Sequence, residues 1–214
     1  RKIQILAGRI IENESETLSD KGKDYFHRMQ DAANRMQTLI KDLLEYTNTG
    51  DSESGFEKVD LSKIIAEVIN ELEETVHEKK ATIETTGLCN AHVNPSQFSQ
   101  LMHNLIGNSL KFASPERPMR IIIKNEIVEG NQDINQKLIS GKKYCHISVA
   151  DNGIGFDPQY KDKIFEVFQR LHAKDKFSGT GIGLAIVKKI VDNHNGIITA
   201  SGKLNGGVVF DIYI

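Results

Sequence analysis

The sequence predicts an α+β protein, with an N-terminal helical hairpin that forms half of a dimeric four-helix bundle and a C-terminal α/β sandwich. Three observations carry this. An apolar seam at spacings of four and three runs through residues 25–46, a polar stretch with glycine follows it, and the remainder mixes strands and helices without regular βαβ alternation. Regular alternation would mark a doubly wound sheet, so its absence favours a sandwich.

Ile3, Leu6, Ile10 and Ile11 give a first helix its apolar side, which fades by Leu18. Ser19-Asp20-Lys21-Gly22 then supplies a turn and a cap for a second helix. In that helix Tyr25, Met29, Ala32, Met36, Leu39, Leu43 and Tyr46 repeat, flanked by Phe26, Ala33 and Ile40. Two helices cannot enclose stripes this apolar, so the hairpin of residues 1–48 is expected to pair with a second copy; packing onto its own C-terminal domain is the alternative. Residues 49–59 have linker chemistry, within a run from Thr47 to Lys58 rich in Ser, Thr, Gly and acids, and a domain of residues 60–214 follows. There Asp60 caps a helix over 61–79, strands run near 81–86 and 91–93, and Asn94-Pro95 opens a long helix, with proline where its missing N–H costs little. Strands over 119–128 and 144–150 flank a polar insertion, 129–143, for which the sequence suggests no function. A helix over 158–171, a polar loop to Ser178, a glycine turn over 179–183, a helix to about His194 and two strands complete the chain.

With 214 residues, 39% hydrophobic and 26% charged, the chain is long enough for a sizeable core. A net charge of -2 and no Lys/Arg-rich block argue against nucleic acid or anionic lipid as partners. Cys89 and Cys145 lie far apart without neighbouring ligand patterns, so they read as buried thiols in a reducing compartment, and neither a disulfide framework nor a zinc site is expected. No apolar run approaches the roughly 20 residues of a membrane span, so no membrane contact is expected. The chain opens at Arg1 inside a helical pattern, as a piece of a longer protein would.

The chemistry concentrates in three places. Asp151-Asn-Gly-Ile-Gly-Phe156 is a glycine loop with a carboxylate at its mouth; Gly179-Thr-Gly-Ile-Gly-Leu-Ala185 is a second glycine loop that runs into an apolar helix. Upstream, Asn104, Asn108 and Lys111 recur at i, i+4 and i+7, so they share one helix face. Each loop alone fits an ordinary turn; the three in this order point to a nucleotide site. A Walker-type loop is ruled out because no glycine run ends in Gly-Lys-Ser/Thr. A dinucleotide fingerprint is ruled out because Gly179, Gly181 and Gly183 are spaced by two and follow a polar loop.

The order Asn-x-x-x-Asn-x-x-Lys-Phe, Asp-x-Gly-x-Gly-Phe, Phe-x-x-Phe-x-Arg and Gly-Thr-Gly-x-Gly-Leu resembles the catalytic and ATP-binding domain of sensor histidine kinases. The hairpin, above all Arg35 to Tyr46, resembles their dimerisation and histidine-phosphotransfer domain. The resemblance implies the open sandwich of the gyrase and mismatch-repair ATPases, with ATP and Mg2+ as cofactors. It implies that Asp151 accepts a hydrogen bond from the adenine amino group, where guanine would present a second acceptor. Gly153 and Gly155 then allow tight turning near the base, and Gly179, Gly181 and Gly183 expose N–H groups to phosphates at a helix start, with Thr180 and Leu184 shaping that edge. Asn108 is the expected magnesium ligand, Phe112 a nucleotide contact, Lys111 a phosphate partner and Arg170 a reach to the γ-phosphate. Phe165 and Phe168 read as anchors for a lid over His172 to Ser178. Asn104 occupies the position where the related hydrolytic ATPases carry a glutamate that activates water; an amide has no comparable basicity, which favours phosphoryl transfer to a histidine over hydrolysis. Val208-Val209 departs from relatives that place a hydroxyl residue near the adenine.

None of the seven histidines has the acceptor's setting, an acidic residue next and a proline soon after. His27, His77, His92, His103, His146, His172 and His194 read as structural or surface residues, and the acceptor is expected within about ten residues upstream of Arg1, about 15 Å of helix. The implied protein is a cytoplasmic homodimer with an upstream sensor domain and a response-regulator receiver domain as its phosphoryl acceptor. A hydrolytic ATPase of the same superfamily and a catalytically silent dimerisation module are the alternatives.

Overall fold

A computed structural model describes residues 2–14, 16–48, 55–87, 90–132, 135–171, 177 and 179–214. The N-terminal part is the hairpin that the seam predicts, α1 (Lys2–Asn13) against α2 (Asp20–Asn48). The Ser19 hydroxyl accepts from the Gly22 N–H at 3.2 Å, the cap expected of it. Among the described residues of the hairpin Ala7 and Ala33 are the buried ones, since small side chains let the two helices approach. The rest of the α2 seam divides. Leu39 and Tyr46 pack on the C-terminal core, while Tyr25, Met29, Met36 and Leu43 stay about half exposed, joined by Ile40 and Leu44. One face of the hairpin thus meets its own C-terminal domain, as the alternative reading held, and another remains apolar and open.

The C-terminal unit begins at β1 (Glu57–Asp60), followed by α3 (Leu61–Glu71), α4 (Glu73–Glu78), β2 (Thr82–Thr86), β3 (Asn90–Val93) and α5 (Pro95–Lys111). Then come β4 (Arg120–Glu129), β5 (Lys143–Asp151), α6 (Gly183–Asn193), β6 (Ile197–Lys203) and β7 (Gly207–Tyr213). β1 pairs antiparallel with β3, so residues 57–59 are strand where the composition suggested linker; the order comes from a distant partner that local chemistry does not reveal. The main sheet runs β2-β4-β5-β7-β6, parallel between β2 and β4 and antiparallel elsewhere.

α5 supplies the centre of the core. Its Phe98, Leu101, Met102, Leu105, Ile106 and Leu110 repeat at helical spacing and are essentially inaccessible, facing Ile121, Ile123, Ile147 and Val149 of the sheet and Ile186, Val187 and Ile190 of α6. Each such side chain contributes roughly 1.5–3 kcal/mol on burial, which fixes which face of α5 is left for polar work. α5 and α6 lie antiparallel and are pinned at one end. The Asn94 N–H, at the cap of α5, donates to His194 Nε2 at 3.1 Å, and His194 Nδ1 meets the Ile190 carbonyl of α6 at 2.7 Å. Because Nε2 accepts, the proton is on Nδ1 and the ring is neutral; burial holds the imidazole below its usual range, against the pull of the Ile190 carbonyl.

Three local expectations need correction. The helix over 61–79 is broken at Leu72, whose φ of -95° and ψ of 6° re-aim the chain so that both Leu72 and Val76 pack on the core. The helix over 158–171 is replaced by two single 3₁₀ turns, Pro158–Tyr160 and Lys163–Phe165. Here tertiary pairing wins over periodicity, because Phe168 takes a φ of +66° and gives its N–H to the Gly181 carbonyl at 2.9 Å. Cys145, expected as a thiol, is buried and disulfide-bonded, which removes the argument for a reducing compartment; Cys89 lies outside the described residues. The polar insertion has a structural use: Leu138 closes over Tyr144 and Tyr213 on the sheet face away from the helices. Among the described residues no helix is long and apolar enough to cross a membrane.

Candidate functional site

α5 buries one face and turns Asn104, Asn108 and Lys111 along another, toward a cavity of about 250 Å³ at the end of the sheet. β5 ends there with Asp151, paired to Ile121, and α6 starts there with Gly183. Both glycine loops contribute to its lining.

Asp151 is mostly buried and well supplied with donors. Its Oδ1 accepts from the Gly153 N–H at 2.9 Å and the Val208 N–H at 3.2 Å; its Oδ2 accepts from the Ser109 hydroxyl at 2.9 Å. Burial pushes the carboxyl above its usual range, while these three hydrogen bonds pull it back. A carboxylate offers roughly four lone-pair sites, so one acceptor position on Oδ2 is left for the cavity. The glycines behind it are fixed by space. A Cβ on Gly153 would stand 2.5 Å from the Phe112 carbonyl oxygen, and at Gly155, with φ +64°, it would stand 1.9 Å from that of Lys203. Gly155 lines the cavity; Gly153 supports it from behind by its N–H.

The side formed by the Gly179–Gly183 turn carries two cations, Lys111 and Arg170, and the carboxylate of Asp42, which accepts from the Thr180 hydroxyl. α6 has no side-chain cap at Ile182, so its first N–H groups lack a capping acceptor, and its first residues, Gly183 and Leu184, border the cavity. Lys111 is half-buried, 4.6 Å over the Phe112 ring, and has no carboxylate partner among the described residues. Burial depresses its ammonium, and the nearby Arg170 adds to that. Gly179 leaves the room: a Cβ there would be 2.4 Å from Lys111 Nζ. Arg170 lines the same wall but spends two donors within it, Nη1 to the Gly179 carbonyl at 3.0 Å and Nη2 to the Phe177 carbonyl at 2.7 Å.

The two asparagines differ in freedom. Asn104 donates Nδ2 to the Gln100 carbonyl at 2.9 Å, and its Oδ1 lies 2.8 Å from where Gly183 would carry a Cβ, so the start of α6 approaches α5 only because residue 183 has no side chain. Asn108 makes no side-chain hydrogen bond within the described residues and lines the cavity. A neutral amide oxygen beside phosphate oxygens and water suits a hard divalent cation; among the described residues no cluster of three His, Cys, Asp or Glu offers an all-protein cage.

Residues 93–214 match the profile of a family described as histidine kinase-, DNA gyrase B-, and HSP90-like ATPase. The chain belongs to this ATPase family. Cyanobacterial phytochrome A of Nostoc sp. is 37% identical over 175 residues, which cover 82% of this chain and 21% of that protein. The chain thus spans about a fifth of that relative's length. Two solved structures share the fold: full-length ShkA in complex with AMPPNP, with TM-score 0.68 and 22% identity over 99% of this chain and 42% of that one, and histidine kinase ThkA in complex with response regulator protein TrrA, with TM-score 0.63 and 22% identity over 99% of this chain and 57% of that one.

Within this ATPase domain, Asn104, Asn108, Lys111, Phe112, Asp151, Gly155, Arg170, Gly179, Thr180, Gly181, Gly183 and Leu184 border one cavity, and Gly153 does not. Phe168 does not anchor by its side chain, which is 59% exposed; its backbone does, through Gly181, whereas Phe165 packs on Phe210. Of the expected lid only Phe177 is described, tilted against Phe112 at 5.0 Å. Sequence reading missed three contributors. Ser109 is a buried hydroxyl next to Asn108, a visible signal. Val208, noted as a departure, acts by its backbone N–H. Asp42 comes from α2 and accepts the Thr180 hydroxyl, a contact between residues 138 apart that no local pattern announces.

Proposed function

We propose that this chain is the ATP-dependent kinase core of a two-component histidine kinase, moving the γ-phosphoryl group of ATP to a histidine and from there to the aspartate of a response-regulator receiver domain. The observation that carries it is the polarity of one cavity. A buried carboxylate with one spare acceptor borders it together with an uncapped helix start, a lysine without a carboxylate partner and an amide oxygen without a hydrogen bond among the described residues.

In this reading Asp151 takes the adenine amino group and the Gly179–Gly183 wall takes the phosphates. Lys111 offsets their charge, and Arg170 turns from its loop carbonyls to the γ-phosphate. Asn108 would hold the magnesium, which supplies charge neutralisation on the phosphate oxygens. A neutral imidazole nitrogen forms the bond to the γ-phosphorus as the bond to the β–γ bridging oxygen breaks, and ADP leaves with that electron pair. Asn104, hydrogen-bonded to Gln100 and without useful basicity, leaves water unassisted, which disfavours hydrolysis.

The acceptor is read as a histidine beyond these residues, because none of the seven combines a following acidic residue with a proline soon after; none of the described histidines borders the cavity. The open apolar face of the hairpin pairs with a second copy, a sensor domain lies upstream, and the reaction runs in the cytoplasm, a compartment where a disulfide such as that of Cys145 is uncommon. ThkA with its bound TrrA is the similar protein that supports a receiver partner.

The test combines labelled ATP, magnesium and a protein extended by the segment upstream. Acid-labile, base-stable label on the protein is expected. Rapid release of phosphate without it would favour the hydrolytic ATPase, and no nucleotide binding would favour a silent dimerisation module.

A further inference from the structure

Arg117, in the loop between α5 and β4, is used in an unusual way. It has no carboxylate partner among the described residues. Instead its Nε donates to the Asn152 carbonyl at 2.7 Å, and its Nη2 donates to the Gly153 carbonyl at 2.8 Å and the Asn205 carbonyl at 2.6 Å. Those carbonyls belong to two separate backbone segments, the loop after β5 and the turn between β6 and β7.

The same two segments, the second continued into β7, supply the two backbone donors to Asp151 Oδ1, while the Ser109 hydroxyl of α5 holds Oδ2. Gly153 gives one N–H to Oδ1, and Val208, three residues after Asn205, gives the other. Each segment is anchored without Arg117. The loop is tied by Asn152, whose side chain joins the Arg120 N–H and the Pro118 carbonyl, and by the Ile154 N–H on the Phe112 carbonyl at 3.0 Å. The turn is closed by Gly206 on the Lys203 carbonyl at 2.8 Å and by the β6–β7 ladder. Between them the Asn205 N–H reaches the Ile154 carbonyl at 2.7 Å, and the Arg117 fork adds charge-assisted bonds across the same join.

We propose that Arg117 is a positioning residue for purine selection: by clamping the two segments together it sets the spacing of the Gly153 and Val208 N–H groups, and so aims the free lone pair of Asp151 at the base. This rests on the ATP reading of the cavity. Arg117 does not border the cavity itself, so it acts only through Asp151. A single ammonium cannot reproduce a planar fork that spans two backbones, so lysine is a partial substitute.

The test compares ATP with inosine triphosphate, which carries a carbonyl oxygen in place of the amino group, in magnesium buffer by calorimetry, on the wild-type chain, Arg117→Ala and Arg117→Lys. Thermal unfolding is followed in parallel. Loss of one well-aimed hydrogen bond predicts that ATP weakens roughly tenfold in Arg117→Ala while inosine triphosphate changes by less than about twofold, with Arg117→Lys in between. Should Arg117→Ala not fold, Arg117→Lys carries the same comparison. Equal weakening of both nucleotides would reduce Arg117 to a staple of the fold, and no weakening would remove it altogether; either overturns the assignment. A wild-type chain that does not discriminate between the two nucleotides refutes the adenine role of Asp151 first, and the role of Arg117 with it.

Discussion

Replacing Asp151 by Asn changes one oxygen into an amide nitrogen at almost constant volume, which makes it the sharpest probe of the base end. Oδ1 must remain an oxygen, because two backbone N–H groups, of Gly153 and Val208, point at it. The new nitrogen therefore takes the place of Oδ2. There the Ser109 hydroxyl can turn to accept, but an adenine amino group would meet a donor. A hydrogen bond to a charged acceptor is worth about 1.5–3 kcal/mol, so ATP should bind roughly 10- to 150-fold more weakly. Inosine triphosphate, with an acceptor at that position, should gain on ATP, so the preference inverts. The fold should not suffer. Because burial raises the carboxyl's folded value above its unfolded one, the ionised form disfavours folding above that value, and stability grows as pH falls toward the usual carboxylate range. A neutral amide escapes this penalty, so the melting temperature near pH 7.5 should hold or rise. Calorimetric titration with both nucleotides, alongside thermal unfolding, decides the matter; unchanged ATP affinity with no gain for inosine triphosphate would refute the assignment of Asp151.

Gly155→Ala should cost about 2–4 kcal/mol, measured by urea unfolding, because a Cβ would meet the Lys203 carbonyl at 1.9 Å in a backbone region unfavourable to side chains; a stable variant would contradict that packing. Asp42→Ala should tighten ATP several-fold, since a carboxylate in the wall of a triphosphate site opposes it by about 1 kcal/mol at 8 Å and an effective dielectric of about 40, and calorimetry that finds weaker binding would reverse the reading. His194 should make the fold acid-sensitive: its folded value lies below the unfolded one, so its contribution is full above about pH 6.5 and is lost as pH falls through that value toward the depressed one. Urea midpoints between pH 7.5 and 5.5 should show a decline that His194→Gln flattens.

Most of the site was legible because its chemistry is local in sequence. Asn104, Asn108 and Lys111 share a face by helical spacing alone, and Asp151 with its glycines sits within one short loop, so pattern and place coincide. What escaped was non-local. β1 is a strand only because β3 lies beside it, the 158–171 segment gives up a helix because Phe168 bonds to Gly181, and Asp42 enters the cavity from a helix at the other end of the chain. The Cys145 disulfide escaped for a different reason, since a count of two cysteines speaks to scaffolds and not to a single bridge.

The His194 pin has a mechanical consequence. α5 and α6 are joined where Asn94 meets His194, and Lys111 and Gly183, which border the cavity, stand at the helix ends away from that joint. With the joint at that end, any change in the angle between the two helices would move Lys111 and Gly183 more than it moves Asn94 and His194.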